Sequence, residues 1–110
     1  IMRIALLNRA PYEADQHAPI ALKEGVSQAQ LEALPNWDQH QHLYSEQEQA
    51  ILAYTDAMTC SIQVPDSTYQ AIAQHFDTQT VVEITATIAT YNMVSRFLEA
   101  LQIHSEDTPS

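Results

Sequence analysis

The sequence is short of several residue types, and each shortage narrows what the protein can be. Its 110 residues include one cysteine, one glycine and four basic side chains. Cys60 has no second cysteine with which to form an internal disulfide, which fits a reducing compartment. No stretch approaches the roughly 20 consecutive apolar residues that a bilayer-spanning helix needs. We therefore expect a cytoplasmic protein that does not cross a membrane.

Positive charge is scarce, since fourteen acidic side chains stand against four basic ones and the formal net charge is −10. Such a chain repels the phosphates of nucleic acids and the anionic headgroups of a lipid surface. We expect neither nucleic acid nor a membrane as a partner.

Helix-forming residues dominate what is present. Ala, Leu, Gln and Glu are abundant, and a single glycine argues against a turn-rich β protein. A chain of this length corresponds to one domain. We predict an all-α domain over residues 1–104, followed by a flexible tail at 105–110. The chain begins inside an apolar segment, IMRIALLNRA, so we expect further residues upstream of Ile1.

Local signals place the helices. A first helix ends in the opening segment, and Pro11 opens a second helix that stops at Gly25. Pro19 inside the second helix predicts a kink near Asp15 or a division into two short helices. Later helix starts are predicted by the capping boxes Ser27 with Gln30 and Ser45 with Glu48, and by the caps Asp66 and Asp77. The segment 35–44 between them reads as a polar loop.

Apolar spacing predicts which helix faces are buried. The expected stripes are Ile51, Tyr54, Thr55, Met58 and Ile62 in the fourth helix, and Tyr69, Ile72, Ala73 and Phe76 in the fifth. The last helix carries two stripes, Val81, Ile84, Ile88, Tyr91 and Leu98 on one side and Val82, Ala86, Ala89, Met93 and Phe97 beside it. A helix with so much apolar surface is covered on two sides. We predict a homo-oligomer, a dimer, trimer or hexamer, that buries part of this helix.

Three segments together resemble the carboxymuconolactone decarboxylase family, part of the all-helical superfamily that also contains the alkylhydroperoxidase D proteins. They are YEADQHAPIALKEGVSQAQLEAL, SEQEQAILAYTDAMT and TVVEITATIATYNMVSRFLEAL. The likeness runs from about Ile1 to Leu101. It implies an alkylhydroperoxidase D-like helical bundle that is oligomeric.

Thiol peroxidases of that superfamily carry Cys-x-x-Cys-x-x-x-His on the second helix. His17 fits the histidine of this motif, which places Glu13 at the second cysteine position and Ala10 at the first. A peroxidatic cycle needs a thiolate and a resolving thiol, and Cys60 lies on a different helix. We therefore predict that thiol peroxidase activity is absent. A glutamate that these peroxidases use would fall before Ile1.

Glu13 and His17 remain on that helix, four residues apart, with Tyr12 beside them. Side chains at i and i+4 share a helix face. Burial raises the pKa of a carboxyl and a neighbouring carboxylate raises that of an imidazole, which would give an acid–base pair near neutral pH. This pair suits the decarboxylation or isomerisation of a small organic acid or lactone, without a cofactor.

Two other interpretations of this pair stay open. Pairs at this spacing are common on solvated helix faces. The chain is alternatively a non-catalytic oligomeric binding or assembly protein that has lost the thiol peroxidase site.

Polar residues of the last helix are weaker candidates for a functional role. Asn92 and Arg96 lie four residues apart, and an ion pair between helices or subunits is favoured over a contact with a substrate carboxylate. The substrate-binding candidates are Tyr12, Tyr91, Asn92 and Arg96, with small molecules as the expected ligands.

Other histidines and Cys60 are expected to be structural or solvated. His40 and His42 lie near Asp38 but lack a third fixed ligand, so no metal site is predicted. His75 is expected to face water and His104 to lie in the tail. Trp37 is expected in the core or in a pocket wall, and Cys60 is expected to be a small buried hydrophobe.

Overall fold

The computed structural model describes residues 1–103, with the exception of the Glu13 side chain. Its elements are α1 (Met2–Leu7), α2 (Pro11–Lys23), α3 (Gln28–Ala33), two 3₁₀ turns (Leu34–Gln39 and Gln41–Leu43), α4 (Glu46–Ser61), α5 (Asp66–His75) and α6 (Thr78–Ala100). Within residues 1–103 there is no strand, which confirms the all-α prediction. His104 and the predicted tail at 105–110 lie outside the described residues, so the domain bounds stay a prediction.

Side-chain caps begin three of the helices as predicted. The hydroxyls of Ser27 and Ser45 accept hydrogen bonds from the backbone N–H groups of Gln30 and Glu48 at 3.0 and 3.1 Å, and both reciprocal bonds are present. Asp77 caps α6 by accepting from the N–H of Thr80 at 2.8 Å. The prediction for Asp66 is wrong, because Asp66 is the first residue of α5 and the N-cap position belongs to Pro65.

Helix α2 is continuous although Pro19 lies inside it, so it is not divided into two short helices. Proline removes one backbone donor, yet the helix continues through Pro19 to Lys23, and the kink near Asp15 stays a prediction. The helix ends as predicted at Gly25, where φ is +105°. The N–H of Val26 bonds to the carbonyl of Ala21, and that of Gly25 to Leu22, which is the Schellman arrangement.

The segment expected to be a polar loop is better ordered than predicted. It forms the two 3₁₀ turns, and Trp37 and Tyr44 within and beside them are 7% and 8% exposed. Their rings pack edge to face, with centroids 6.5 Å apart. Together with Leu34 they form a second, smaller core, which confirms a core position for Trp37.

The main core lies where α1, α4, α5 and α6 meet. Its buried members are Ile4, Ala50, Tyr54, Ile72, Val81 and Ile88. Tyr54 and Thr85 share a hydrogen bond of 2.7 Å between their hydroxyls, so the polar end of the buried ring is satisfied. Helix α1 packs on both α4 and α6, and it therefore holds the first part of α2 close to them.

Four predicted core positions in α4 and α5 and at their ends are exposed instead. Helix α4 ends at Ser61, so Ile62 lies outside the helical stripe, at φ +65°, and is 80% exposed. In α5, Tyr69 is 50% exposed and Ala73 is exposed too, so Ile72 and Phe76 are the members of the predicted stripe that pack in the core. Cys60 is also exposed, on the outer side of the last turn of α4.

The two stripes of α6 have different surroundings. Val81 and Ile88 of the first stripe are buried in the core. In the second, Val82, Met93 and Phe97 are 61%, 59% and 60% exposed, and the alanines between them are exposed too. We call this second stripe, residues 82, 86, 89, 93 and 97, the outer stripe. Within residues 1–103, no helix is both long and apolar enough to cross a membrane.

Candidate functional site

A cleft of about 380 Å³ lies between one face of α2 and one face of α4. The α2 face consists of His17, Ile20, Ala21 and the C-cap residue Glu24, and the α4 face of Glu48, Ile51, Leu52 and Thr55. Both sets follow the i, i+3, i+4, i+7 spacing that places side chains on one side of a helix. The volume falls within the roughly 300–1,000 Å³ of small-molecule sites.

The ends and floor of the cleft come from other parts of the chain. The lining there consists of Ile1, Met2 and Arg3 from the start of the chain, Val26, Gln30, Leu31 and Leu34 from the region of α3, and Tyr44. Most of these side chains are apolar, which suits an organic ligand more than an ion. The cleft therefore combines a largely hydrophobic wall with a few polar groups.

His17 is the titratable group of the cleft with the widest chemical use. Its side chain is half-buried, and its ring packs edge to face with that of Tyr91 on α6, with centroids 5.4 Å apart and planes at 88°. An imidazole in the lining of a cleft is a candidate general acid or base for a bound ligand. Glu13 precedes it by one turn of α2, and the Glu13 side chain lies outside the described part of the structure.

A network that the sequence analysis missed holds one wall of the cleft. Arg3 donates from Nε and Nη2 to the two carboxylate oxygens of Asp56 at 2.7 and 3.0 Å. The indole N–H of Trp37 donates to the same carboxylate at 3.0 Å. Arg3 Nη1 donates to the carbonyls of Leu34 and Pro35 at 3.0 and 3.2 Å. We call Arg3, Asp56 and Trp37 the clamp, because they join α1, α4 and the first 3₁₀ turn.

Tyr44 fixes the second 3₁₀ turn against α3 and contributes to the cleft wall. Its hydroxyl donates to the carbonyl of Gln30 at 2.6 Å, and Gln30 Nε2 donates to the carbonyl of Leu43 at 2.8 Å. Burial raises the pKa of Tyr44 above 10.0, and the nearby Glu48 carboxylate raises it further, while Arg3 acts in the opposite direction. Tyr44 is therefore a neutral hydrogen-bonded wall residue at physiological pH.

The predicted substrate-binding residues lie at different places. Tyr91 contacts His17, whereas Asn92 is 7% exposed and belongs to a structural network. Asn92 accepts from Asn8 at 2.9 Å and donates to the Thr59 hydroxyl at 2.9 Å and to the carbonyl of Ile88 at 3.0 Å. Arg96 donates to the Thr59 carbonyl at 3.4 Å. None of these four candidates lines the cleft, and Tyr12 is half-buried in the first turn of α2.

The histidines of the 3₁₀ region do not converge on a metal site. The rings of His40 and His42 have centroids 6.3 Å apart. Within the described residues no three His, Cys, Asp or Glu side chains come together in a way that would hold a metal ion. His75, expected to face water, is half-buried at the end of α5.

A smaller cavity of about 230 Å³ adjoins the cleft. Ile1, Ile51 and Thr55 line both spaces. The far wall of the smaller cavity comes from α6, where Glu83 is its charged residue.

Comparisons with known proteins agree with this architecture, although no family model matches the chain. The uncharacterised protein YdfG of Bacillus subtilis is 26% identical over 102 residues, which are 91% of this chain and 69% of YdfG. The uncharacterised protein YnjA of Escherichia coli is 33% identical over 88 residues, 79% of this chain and 47% of YnjA.

A solved structure shares nearly the whole fold. It is a protein of unknown function from Agrobacterium tumefaciens, provisionally assigned as the antioxidant defence protein AhpD. The two superpose with a TM-score of 0.87 at 25% identity, over 96% of this chain and 74% of the other. The chain therefore has an alkylhydroperoxidase D-like fold, which supports its resemblance to that superfamily, and its single cysteine is not part of a Cys-x-x-Cys pair.

Proposed function

We propose that this chain is a cofactor-free acid–base enzyme that decarboxylates or isomerises a small organic acid or lactone. The observation that carries the proposal is the position of His17, half-buried in the lining of an apolar cleft of about 380 Å³. A proton-transfer group beside a hydrophobic space is the arrangement that such chemistry requires.

In an isomerisation, His17 would take the proton from the carbon next to a carbonyl and return it to another carbon of the same molecule. The edge-to-face contact with Tyr91 limits the orientations of the imidazole ring. Glu13, one turn earlier, is the proposed partner of His17 or the second acid–base group. Tyr91 contacts His17 but lines neither the cleft nor the adjoining cavity, so its role in binding stays a prediction, as do the roles of Tyr12, Asn92 and Arg96.

The test measures proton transfer directly. Small lactones and organic acids are incubated with the protein in D₂O, and NMR follows deuterium incorporation at the carbon next to the carbonyl and the release of product. General-base catalysis contributes roughly 10²–10⁴-fold, so His17→Ala should lower the rate by about a hundredfold or more.

The control variant is His42→Ala, which removes an exposed histidine that does not line the cleft. It should retain the wild-type rate. A panel with no exchange and no product, or a His17→Ala variant as active as wild type, would exclude His17 as the catalytic group.

A second candidate function, an oligomeric binding or assembly protein without catalysis, is favoured by the outer stripe of α6. Val82, Met93 and Phe97 leave more than half of their surfaces in solvent. The charged residues of α6 are Glu83, Arg96 and Glu99. The twelve positions from 84 to 95 therefore carry no charge. Within the described residues no other segment covers this surface, and contiguous apolar patches of this kind mark association sites.

Light scattering after size-exclusion chromatography tests this second candidate. Met93→Ser with Phe97→Ser should shift an oligomer toward the monomer, because the apolar surface that favours association is lost. Tyr69→Ser, on the exposed side of α5, is the matched control and should leave the mass unchanged. A wild-type protein that is monomeric at high concentration would contradict the candidate.

The cytoplasmic location stays a prediction that rests on the sequence. The same holds for the absence of a cofactor and of nucleic-acid partners.

A further inference from the structure

We propose that the cleft binds uncharged ligands and rejects carboxylates, so that the substrate is a neutral lactone or a related carbonyl compound and not an organic acid anion. This inference rests on the proposed function, because it concerns the same site. It narrows that proposal to isomerisation, since decarboxylation requires a carboxylate substrate.

Arg3 is the arginine in the lining of the cleft, and its hydrogen-bond donors are already in use. All three of its nitrogens already donate hydrogen bonds within the protein, two to the Asp56 carboxylate and one to backbone carbonyls. The Asp56 carboxylate also neutralises its charge. A ligand carboxylate would have to displace Asp56, which would be left as an unpaired, partly buried charge.

The other basic residues lie outside the cleft. The chain has four in total, and Arg9, Lys23 and Arg96 line neither the cleft nor the adjoining cavity. An anion that enters the cleft therefore loses hydration without gaining a basic side chain to bind it.

Acidic side chains line both the cleft and the adjoining cavity. Glu24 at the C-cap of α2 and Glu48 on α4 are exposed side chains that line the cleft, and Glu83 lines the adjoining cavity. Even a fully protonated His17 is one positive charge against the two carboxylates of the cleft. Like charges at close range disfavour an anion, and the effect weakens as salt is added.

A neutral ligand does not have to displace Asp56 from Arg3, and the carboxylates of the cleft do not repel it. Its carbonyl oxygen can accept a hydrogen bond from His17 when the ring carries a proton there, and its carbon skeleton can contact Ile51, Leu52 and Leu34. The cleft thus selects for a small hydrophobic molecule with a polar but uncharged group.

Benzamide and benzoate test the inference, because they have nearly the same shape and differ in charge. Titration of each into the ¹⁵N-labelled wild-type chain at low ionic strength, followed by amide chemical shifts, should show benzamide bound at the α2 and α4 faces of the cleft. Benzoate should bind about tenfold more weakly, because Glu24 and Glu48 repel its charge and the guanidinium of Arg3 is already paired with Asp56. The difference should shrink in 0.5 M salt.

The variant Glu24→Gln with Glu48→Gln should reduce the preference for benzamide several-fold. Glutamine at position 48 keeps the capping box of α4, so the fold should be retained. The matched control, Glu32→Gln with Glu46→Gln, changes the net charge equally at exposed positions outside the cleft and should keep the preference.

Benzoate bound as tightly as benzamide, a preference unaltered by Glu24→Gln with Glu48→Gln, or no benzamide binding at the cleft would each overturn the inference. A failure of the proposed function has a different result. In that case benzamide is preferred as described, but neutral lactones bind without exchanging protons, and His17→Ala changes no rate.

Discussion

Single residues in the left-handed region end three of the helices, and two of them are not glycine. Arg9, Gly25 and Gln102 have φ values of +53°, +105° and +59°. Each follows a helix and takes part in the same paired hydrogen bonds, for example Ala10 N–H to Ala5 and Arg9 N–H to Leu6 after α1. A side chain in this conformation is strained, and glycine relieves the strain.

Arg9→Gly should therefore be more stable than Arg9→Ala, by about 1 kcal/mol in the free energy of unfolding. Both variants lose the same charge, so their difference isolates the backbone. Urea titration followed by circular dichroism measures it. Gly25→Ala should lose a similar amount, and equal stabilities for the two Arg9 variants would contradict the backbone assignment.

Asn92 gives a second prediction at this scale, because its three side-chain hydrogen bonds are internal. Asn92→Ala removes the partner of the half-buried Asn8 amide and of the buried Thr59 hydroxyl and should destabilise the protein by about 1–3 kcal/mol. Benzamide affinity at the cleft should stay within twofold of wild type. A large loss of affinity with unchanged stability would instead support a binding role for Asn92.

At the level of elements, the start of a helix was predictable where it depends on neighbouring residues. The capping boxes at Ser27 and Ser45 and the cap at Asp77 each involve side chains three positions apart. The end of α4 was not predictable, because no residue pattern near Ile62 indicates that its φ is positive. The N–H of Gln63 bonds to the carbonyl of Ser61 across Ile62, which is a tight γ-turn that β-branched residues rarely adopt.

The two apolar stripes of α6 were also predictable from their spacing, whereas the oligomer expected to cover the second stripe stays a prediction. Which stripe faces the core was not predictable, because both are apolar and the choice depends on where α1 and α4 pack. The same limit applies to the cleft. Its i, i+3, i+4, i+7 pattern at 17, 20, 21 and 24 is visible in the sequence, but the facing pattern on α4 becomes its partner only in the folded chain.

The cap of α6 predicts a pH dependence. Hydrogen bonds from Thr80 hold the pKa of Asp77 below its ordinary 3.8. A carboxyl with a lowered folded pKa stabilises the protein above its unfolded pKa, and this contribution is lost as the pH falls through the folded value. Asp77→Ala should therefore lower Tm at pH 7, and the difference from wild type should narrow below about pH 4.

Thermal melts by circular dichroism between pH 7 and pH 2.5 would measure that narrowing. Asp66→Ala is the control, since Asp66 lies in the first turn of α5 but caps nothing. A gap in Tm that stays constant across the range would show that the Asp77 carboxylate is not the stabilising group.

At the scale of the whole molecule, the clamp joins segments far apart in the chain. Arg3 and Asp56 are separated by 53 positions, and Trp37 lies 19 positions from Asp56. No local pattern in the sequence pairs these residues, which is why the clamp was not predicted. Their side chains bring the first 3₁₀ turn, α1 and α4 into one rigid wall of the cleft.

Asp56→Ala should destabilise the protein by about 2–3 kcal/mol, because it leaves the Arg3 guanidinium and the Trp37 indole without their acceptor in a place that is mostly shielded from water. Urea unfolding measures the loss. Asp38→Ala, at an exposed position of the same turn, should change stability by less than about 0.5 kcal/mol. Equal losses in the two variants would mean that the clamp contributes little.

The indole of the clamp has an optical consequence. Trp37 is the one tryptophan in the sequence, it is buried, and its N–H contacts a carboxylate that is itself bound to an arginine beside the cleft. Its fluorescence therefore comes from a single site whose local electric field depends on two charged neighbours. The emission spectrum can report both the opening of the clamp and the arrival of a molecule next to Arg3, without any attached dye.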